Sequence, residues 1–336
     1  MFIITVLISA NVIFNRYRYI SVSTYRYTMK YADTDININD SLLNKIKNKK
    51  KKLDALRPLP KDAVTRIIED IRLRNTYHSD AIEGNTLTLQ ETKLVLEEGV
   101  TIGGKPLKDH IEARNDAEAF DVMIELVHSN KKVSQEIIQQ LHEFVMKGIL
   151  KNPGQYRTEN VRLTGAKIRP PSYLKMVTLM DEYIQNIKKL NLQPIKKASF
   201  IHHELVRIHP FIDGNGRVAR LLTNFYLMKK GYPPIVIQSE DREKYYRSLY
   251  KADKGDLSDF ASFIARSVNE SLQYYLSSFI DEERLLSLSE LSKQSEYSQE
   301  YLSLRSRQGK LDAVKIENIW YSSKRALKEY QKNVKK

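Results

Sequence analysis

The sequence predicts an all-α protein: a helical bundle with one small β-hairpin, then a compact C-terminal module of two short helices and a second hairpin. Three observations carry that prediction. Apolar residues recur at helical spacing through most of the chain between residues 61 and 276. Within that region only "ENVRLTGAKIR" alternates as paired strands do. Beyond residue 280 the patterned stretches shorten and a basic tail begins.

The chain has 336 residues, enough for two or three units. With 41% hydrophobic and 29% charged residues it reads as an ordinary soluble globular protein. The absence of cysteine excludes disulfides, thiolate zinc sites and thiol catalysis, and a cytoplasmic location is expected. A formal net charge of +14 favours acidic partners such as nucleotides or nucleic acid.

Taken in order, residues 1–40 form a poorly patterned extension. Its first stretch, "MFIITVLISANVIF", is shorter than the roughly 20 residues of a spanning helix and has no basic segment before it, so no membrane association is expected. A start site placed too far upstream of Met29 is the expected explanation, with a weak membrane anchor as the alternative. Residues 41–95 are expected to form an N-terminal helical segment. Its "SLLNKIKNKKKKLDALRPLP" reads as a lysine-rich arm with a solvated helix face. Val64, Ile67, Ile68 and Ile71 then define an amphipathic helix to about Tyr77, with Gly84 as the stop.

Residues 96–280 hold the remaining long helices, in "HIEARNDAEAFDVMIELVH", "SQEIIQQLHEFVMKGIL", "LKMVTLMDEYIQNIKKL", "KASFIHHELVRIH", "GRVARLLTNFYLMKKG" and "DLSDFASFIARSVNESLQYYL". Two apparent motifs fail on inspection. "GVTIGGK" has Walker spacing, but Pro106 stands where a magnesium-binding Ser or Thr is needed. "HHELVRIH" starts like a zinc-protease helix, but Arg207 replaces the second histidine.

The informative stretch is "HPFIDGNGRVAR", residues 209–220. Pro210 ends one helix, and Gly214 and Gly216 permit a tight loop directly before the next. Free N–H groups at that helix start make an anion cradle that a phosphate can approach closely. Arg217 and Arg220, three apart, share one face of the first turn and suit further phosphates. Asp213 can hold a magnesium ion bridging those phosphates, and His209 at the loop entrance can accept a proton.

All defining positions of His-x-Phe-x-Asp-Gly-Asn-Gly-Arg-x-x-Arg are present, and the stretch resembles the signature of the Fic family of nucleotidyl transferases. The resemblance extends over roughly residues 58–275 and implies a Fic-fold helical bundle. It implies transfer of AMP from ATP, with Mg2+, to a protein hydroxyl. His209 is then the general base and Asp213 the metal ligand. Gly214, Asn215 and Gly216 cradle the phosphates, and Arg217 and Arg220 bind the leaving diphosphate. Gly216 rather than lysine after Asn215 matches the AMP-transferring majority.

The same resemblance assigns nucleoside contacts to Tyr245 and Tyr246, and more weakly to Asp253, where related proteins have asparagine. It makes "NVRLTGAKIRPP" a flap whose edge pairs with a target segment. Val161, Arg162, Leu163 and Thr164 are the candidates there, grouped with the nucleotide-binding set. "HSDAIEGNTLTLQET" fits an inhibitory helix carried on the same chain, with Ser79, Glu83 and Gly84 as its marks. Its glutamate is expected to pair bidentately with Arg220 and deny that arginine to the γ-phosphate.

Residues 281–336 resemble the winged helix-turn-helix of excisionase-like proteins. From Tyr301 to Lys336 ten Lys and Arg stand against three Asp and Glu. A second helix bearing Arg305 and Arg307 suits a DNA major groove, and a module of the same shape also suits a protein partner or a homodimer. The expected activity is Mg-ATP-dependent protein adenylylation, autoinhibited by Glu83. Its alternatives are a de-AMPylase in which Glu83 aligns water, and a nucleotide-sensing DNA-binding regulator.

Overall fold

The computed structural model describes residues 36–162, 169–316 and 318–334. The apolar N-terminal run and the middle of the expected flap, including Leu163 and Thr164, lie outside the described residues. Among the described residues ten α-helices precede the C-terminal module: α1 (Asp40–Ala55), α2 (Lys61–Glu83), α3 (Leu89–Glu97), α4 (Leu107–His128), α5 (Gln135–Met146), α6 (Tyr173–Lys189), α7 (Pro194–Ile208), α8 (Asn215–Lys229), α9 (Arg242–Asp253) and α10 (Ser258–Ser277).

Their starts follow local chemistry. The side chains of Ser134, Ser172 and Gln193 cap α5, α6 and α7, and Pro194 opens α7 with its ring already at a helical φ. Thr88 and Glu91 form a reciprocal capping box on α3. α2 stops at Gly84, whose φ of 103° only glycine adopts without strain. It runs past the expected end near Tyr77, because Thr76, His78, Ser79 and Asp80 are buried polar residues that break the apolar period without breaking the helix.

One apolar core joins α1 to α10, so residues 41–95 and 96–280 fold around the same interior. α7 and α8 lie at its centre, and Leu205, Ile208, Val218 and Leu222 are 0–1% exposed. That packing fixes the loop between the two helices. The lysine-rich α1 is a helix, but no solvated arm. Ile46 and Leu53 are buried, and Lys49 between them is only 3% exposed. Two of its turns face α10 because its sparse apolar residues fall on one side.

The C-terminal module contains β1 (Leu285–Ser287), α11 (Leu288–Ser292), α12 (Gln299–Arg307), β2 (Ala313–Ile316), β3 (Ile319–Ser323) and α13 (Lys324–Val334). The strands form an antiparallel sheet of order β1-β3-β2, with Val314 opposite Tyr321 and Lys315 opposite Trp320. Leu288, Leu291, Leu302, Leu311, Leu327 and Tyr330 make its separate core. The two short helices and the hairpin stand where the pattern placed them. β1 and α13 were not anticipated, β1 being three residues long and α13 having few apolar residues. On α12, Arg305 lies 4.6 Å over the Tyr301 ring and donates to Gln308 at 2.9 Å, while Arg307 is exposed.

Buried charge joins the module to the bundle. Lys49 of α1 meets Asp312 at 2.6 Å, and Asn269 donates to the same carboxylate at 2.9 Å. Glu283 is 0% exposed and accepts from Lys52 at 2.9 Å, from Gln273 at 3.2 Å and from Arg325. Lys49→Ala leaves Asp312 buried without its cation, and breaking such a pair costs about 3–5 kcal/mol. Denaturant unfolding should show that loss, and Lys49→Met with Asp312→Leu should recover most of it. An unchanged midpoint for Lys49→Ala contradicts the buried pair.

Candidate active site

α7 ends at Ile208, and His209 caps it in the left-handed region with φ 53° and ψ 61°. Its N–H donates to the Leu205 carbonyl at 2.9 Å. Phe211 turns inward and stacks on His142 of α5, with ring centroids 3.7 Å apart. Asn215 then closes the loop. Its side chain accepts from the Phe211 N–H and donates to the Phe211 carbonyl, both at 3.0 Å.

Gly214 has φ 76°, and a Cβ there would lie 2.8 Å from Met146 Sδ. Only glycine fits. No side chain caps α8, so the N–H groups of its first turn face the loop as the positive end of the helix dipole. His142 supports this loop from below. Its Nε2 donates to the Asp213 carbonyl at 3.0 Å, and its Nδ1 accepts from the Gly154 N–H at 2.8 Å.

His209 Nδ1 donates to the Val206 carbonyl at 3.2 Å, which leaves the lone pair on Nε2. Burial holds the imidazole down at about 4, although the Val206 bond and the charges of Glu83 and Asp213 pull the other way; Arg157 adds to the lowering. The ring is therefore neutral at physiological pH and free to accept a proton.

Both arginines of the signature are buried, at 2% and 3% exposure, and both are engaged. Arg217 Nη1 reaches Glu112 at 3.1 Å and Asp80 at 3.9 Å, while its Nη2 lies 3.7 Å from Asp213. Arg220 Nη2 donates to Glu83 at 2.7 Å and to the Ser79 carbonyl at 3.0 Å, and its Nε donates to the Ser79 hydroxyl at 3.0 Å. The expected bidentate pair is thus a single bond from Nη2, with Nε turned to Ser79, one turn earlier on α2, and Nη1 not engaged by the carboxylate.

Gly216 makes the approach possible, since a Cβ there would fall 2.4 Å from Glu83 Oε1. Arg217 Nε and Arg220 Nη1 are buried without a hydrogen-bond partner. Unpaired cationic donors beside a helix N-terminus suit an anionic ligand.

Two of the expected nucleoside residues already have partners within the protein. Tyr245 is 1% exposed and donates to His202 at 2.8 Å, because its face of α9 packs into the core. Asp253 binds His203 at 2.9 Å and ties α9 to α7. Tyr246, at 39% exposure and beneath the Arg242 guanidinium, is the tyrosine at the surface. Val161 and Arg162 lie in irregular chain, half-exposed and exposed respectively.

Sequence reasoning missed several residues that shape the site. Glu112 and Asp80 hold Arg217, His142 supports the loop, and Arg157 donates to the His209 carbonyl at 2.8 Å. Asp116 is fully buried, and burial pushes its carboxyl up to about 6; Asp80 is pushed up too, by burial and then by Asp116. These residues sit inside helices or bind backbone carbonyls, and neither circumstance leaves a spacing pattern.

Asp213 is the oxygen donor available to a metal. One carboxylate oxygen accepts from the Gly214 N–H at 2.6 Å, and the side chain is 51% exposed. Among the described residues no group of three or more His, Asp or Glu forms a metal cage. A single half-exposed carboxylate beside an anion cradle fits a hard cation that takes its remaining ligands from phosphate and water.

Fold and site together define a helical protein that presents an anion-binding helix N-terminus beside a neutral histidine. The Fic/DOC family model matches residues 132–227. Protein adenylyltransferase Fic of Nematostella vectensis is 34% identical over 244 residues, covering 72% of this chain and 57% of that protein. The Drosophila erecta protein of the same name is 34% identical over 73% of this chain and 50% of its own length.

Among solved structures, Fic-1 from C. elegans matches with TM-score 0.63 and 30% identity over 71% of this chain and 72% of that one. A Fic domain-containing signaling protein from Bacteroides thetaiotaomicron matches with TM-score 0.64 and 29% identity, over 70% and 96%. The chain belongs to the Fic/DOC family. It spans about half the length of the curated relatives it matches. Among the described residues no helix is long and apolar enough to cross a membrane.

The environment of His209 makes a direct prediction. Imidazole NMR should show the Nδ1–H tautomer at neutral pH and a titration midpoint near 4. A midpoint at or above the ordinary histidine value would contradict the buried, carbonyl-anchored ring.

Proposed function

We propose that this chain is a protein adenylyltransferase that moves AMP from ATP to a Ser, Thr or Tyr hydroxyl of a target protein, and that Glu83 holds it in check. The observation that carries the reading is His209, neutral and with Nε2 free, at the mouth of a helix N-terminus flanked by two buried arginines. The names of the curated relatives support the same activity.

In this reading the acceptor hydroxyl loses its proton to His209 Nε2 as its oxygen attacks the α-phosphorus. The bond from that phosphorus to the bridging oxygen breaks, and diphosphate leaves. The first-turn N–H groups of α8 and the Arg217 and Arg220 guanidiniums stabilise the charge that accumulates. Asp213 would hold Mg2+, which supplies charge neutralisation on the phosphates. Glu83 occupies an N–H of Arg220 that a γ-phosphate would otherwise take.

The order β1, α11, α12, β2, β3 supports reading residues 281–336 as a winged helix-turn-helix module. Residues 41–95, with Ser79, Glu83 and Gly84, are read as the inhibitory segment of the catalytic unit.

Labelled ATP with mass spectrometry of the products tests the reaction. His209→Ala should lower transfer by about 10²–10⁴-fold, the range of a general base, with ATP affinity nearly unchanged. Undiminished labelling by His209→Ala removes the histidine as base, and absence of AMP from every labelled product removes the adenylyltransferase reading.

A further inference from the structure

Arg157 is 2% exposed and belongs to no part of the signature. It lies on the loop after α5, and each of its three guanidinium nitrogens donates to a main-chain carbonyl. Nε donates to His209 at 2.8 Å, Nη1 to Glu159 at 2.8 Å and Nη2 to Pro171 at 2.6 Å. Its own N–H donates to the Pro210 carbonyl at 2.9 Å. Among the described residues no carboxylate pairs with it. A buried cation balanced by carbonyl dipoles alone is an unusual arrangement for stability, where a carboxylate partner is the rule.

What the guanidinium joins is specific. His209 and Pro210 are the start of the catalytic loop. Glu159 and Pro171 stand 12 positions apart in sequence, and the guanidinium holds both of their carbonyls together with that of His209. A second tie joins the same two stretches, where Tyr173 N–H donates to Asn160 at 3.0 Å. His209 has φ 53°, a conformation that non-glycine residues hold only when their surroundings impose it. Arg157 holds that residue from its carbonyl side, as Leu205 does from its N–H side.

We propose that Arg157 is a positioning residue of this site, fixing in one planar fork the backbone of the general base and that of Glu159 and Pro171. The proposal rests on the adenylyl-transfer reading for its effect on rate. A planar guanidinium can serve three acceptors in fixed directions; a lysine ammonium keeps the charge and loses the fork.

Two measurements on the full chain carrying Glu83→Gly test it: the imidazole titration of His209 by NMR, which needs no turnover, and self-labelling with ATP labelled at the α-phosphate. The charged groups that face His209 are Arg157, Glu83 and Asp213, and Arg157 is the one that lowers its affinity for a proton. Arg157→Ala should therefore move the His209 midpoint upward and shift the acid limb of the labelling rate to higher pH. The rate at saturating ATP should fall about 100-fold, as for a base misplaced by about 1 Å, while half-saturation by ATP stays within about twofold.

Arg157→Lys should keep the midpoint and the acid limb yet still lose about tenfold in rate, because charge is retained and geometry is not. Unchanged rate and midpoint in Arg157→Ala overturn the proposal. So does a fall in rate matched by an equal loss of ATP binding with the midpoint unmoved, which is the signature of general destabilisation. Should Arg157→Ala not fold, Arg157→Lys decides alone, and a parental rate there overturns the proposal. If the Glu83→Gly parent itself fails to label, the transfer reading fails, and the His209 midpoint still decides the place of Arg157.

Discussion

Arg220 is a cation that cannot shed its charge, set where water does not reach, and the arrangement of the site follows from how it is satisfied. Three of its hydrogen bonds end on α2, at the Ser79 hydroxyl, the Ser79 carbonyl and Glu83. That ties α2 to α8 across 137 positions of sequence. It also dictates Gly216, because any Cβ would strike the Glu83 carboxylate. Of the three contacts, Glu83 is the dispensable one. Its side chain is 31% exposed, and Ser79 keeps two bonds to the guanidinium without it. In the proposed reading, a contact of this kind can be released without loss of the other two bonds.

Behind the arginines stands an excess of carboxyl groups. Glu112 and Asp80 face Arg217, and Asp116 lies fully buried beside them. Two guanidiniums cannot neutralise all of these carboxyls and Glu83 together. Burial, and for Asp80 the neighbouring Asp116 charge, displaces both carboxyls upward, so they take up a proton more readily than ordinary aspartates. Arg217 is consequently held by charge from two other helices, and its guanidinium is oriented before any ligand arrives.

Legibility in the sequence divided along physical lines. The long helices were readable because each buries a continuous apolar stripe, and the signature loop was readable because its chemistry sits in twelve consecutive residues. The end of α2 was not, since Thr76, His78, Ser79 and Asp80 face inward for polar reasons that look like exposure. α1 was misread as a solvated arm because Lys49 occupies a core position made tenable only by Asp312, 263 residues away in sequence. Tyr245 and Asp253 matched a pattern, but burial and His203 respectively set their roles. Arg157 and His142 act on backbone carbonyls, and a carbonyl has no letter in the sequence.

The restraint on Arg220 is the claim on which the functional reading turns. Its most direct measurement is the single-turnover rate of self-labelling by wild-type and Glu83→Gly proteins at matched ATP occupancy, with Glu83→Gly combined with Arg220→Ala as the control. Releasing Arg220 should raise the rate by at least about tenfold, equivalent to about 1.4 kcal/mol of transition-state stabilisation, and removing the released arginine should abolish the gain. Equal rates for wild type and Glu83→Gly, or a gain that survives loss of Arg220, would contradict it.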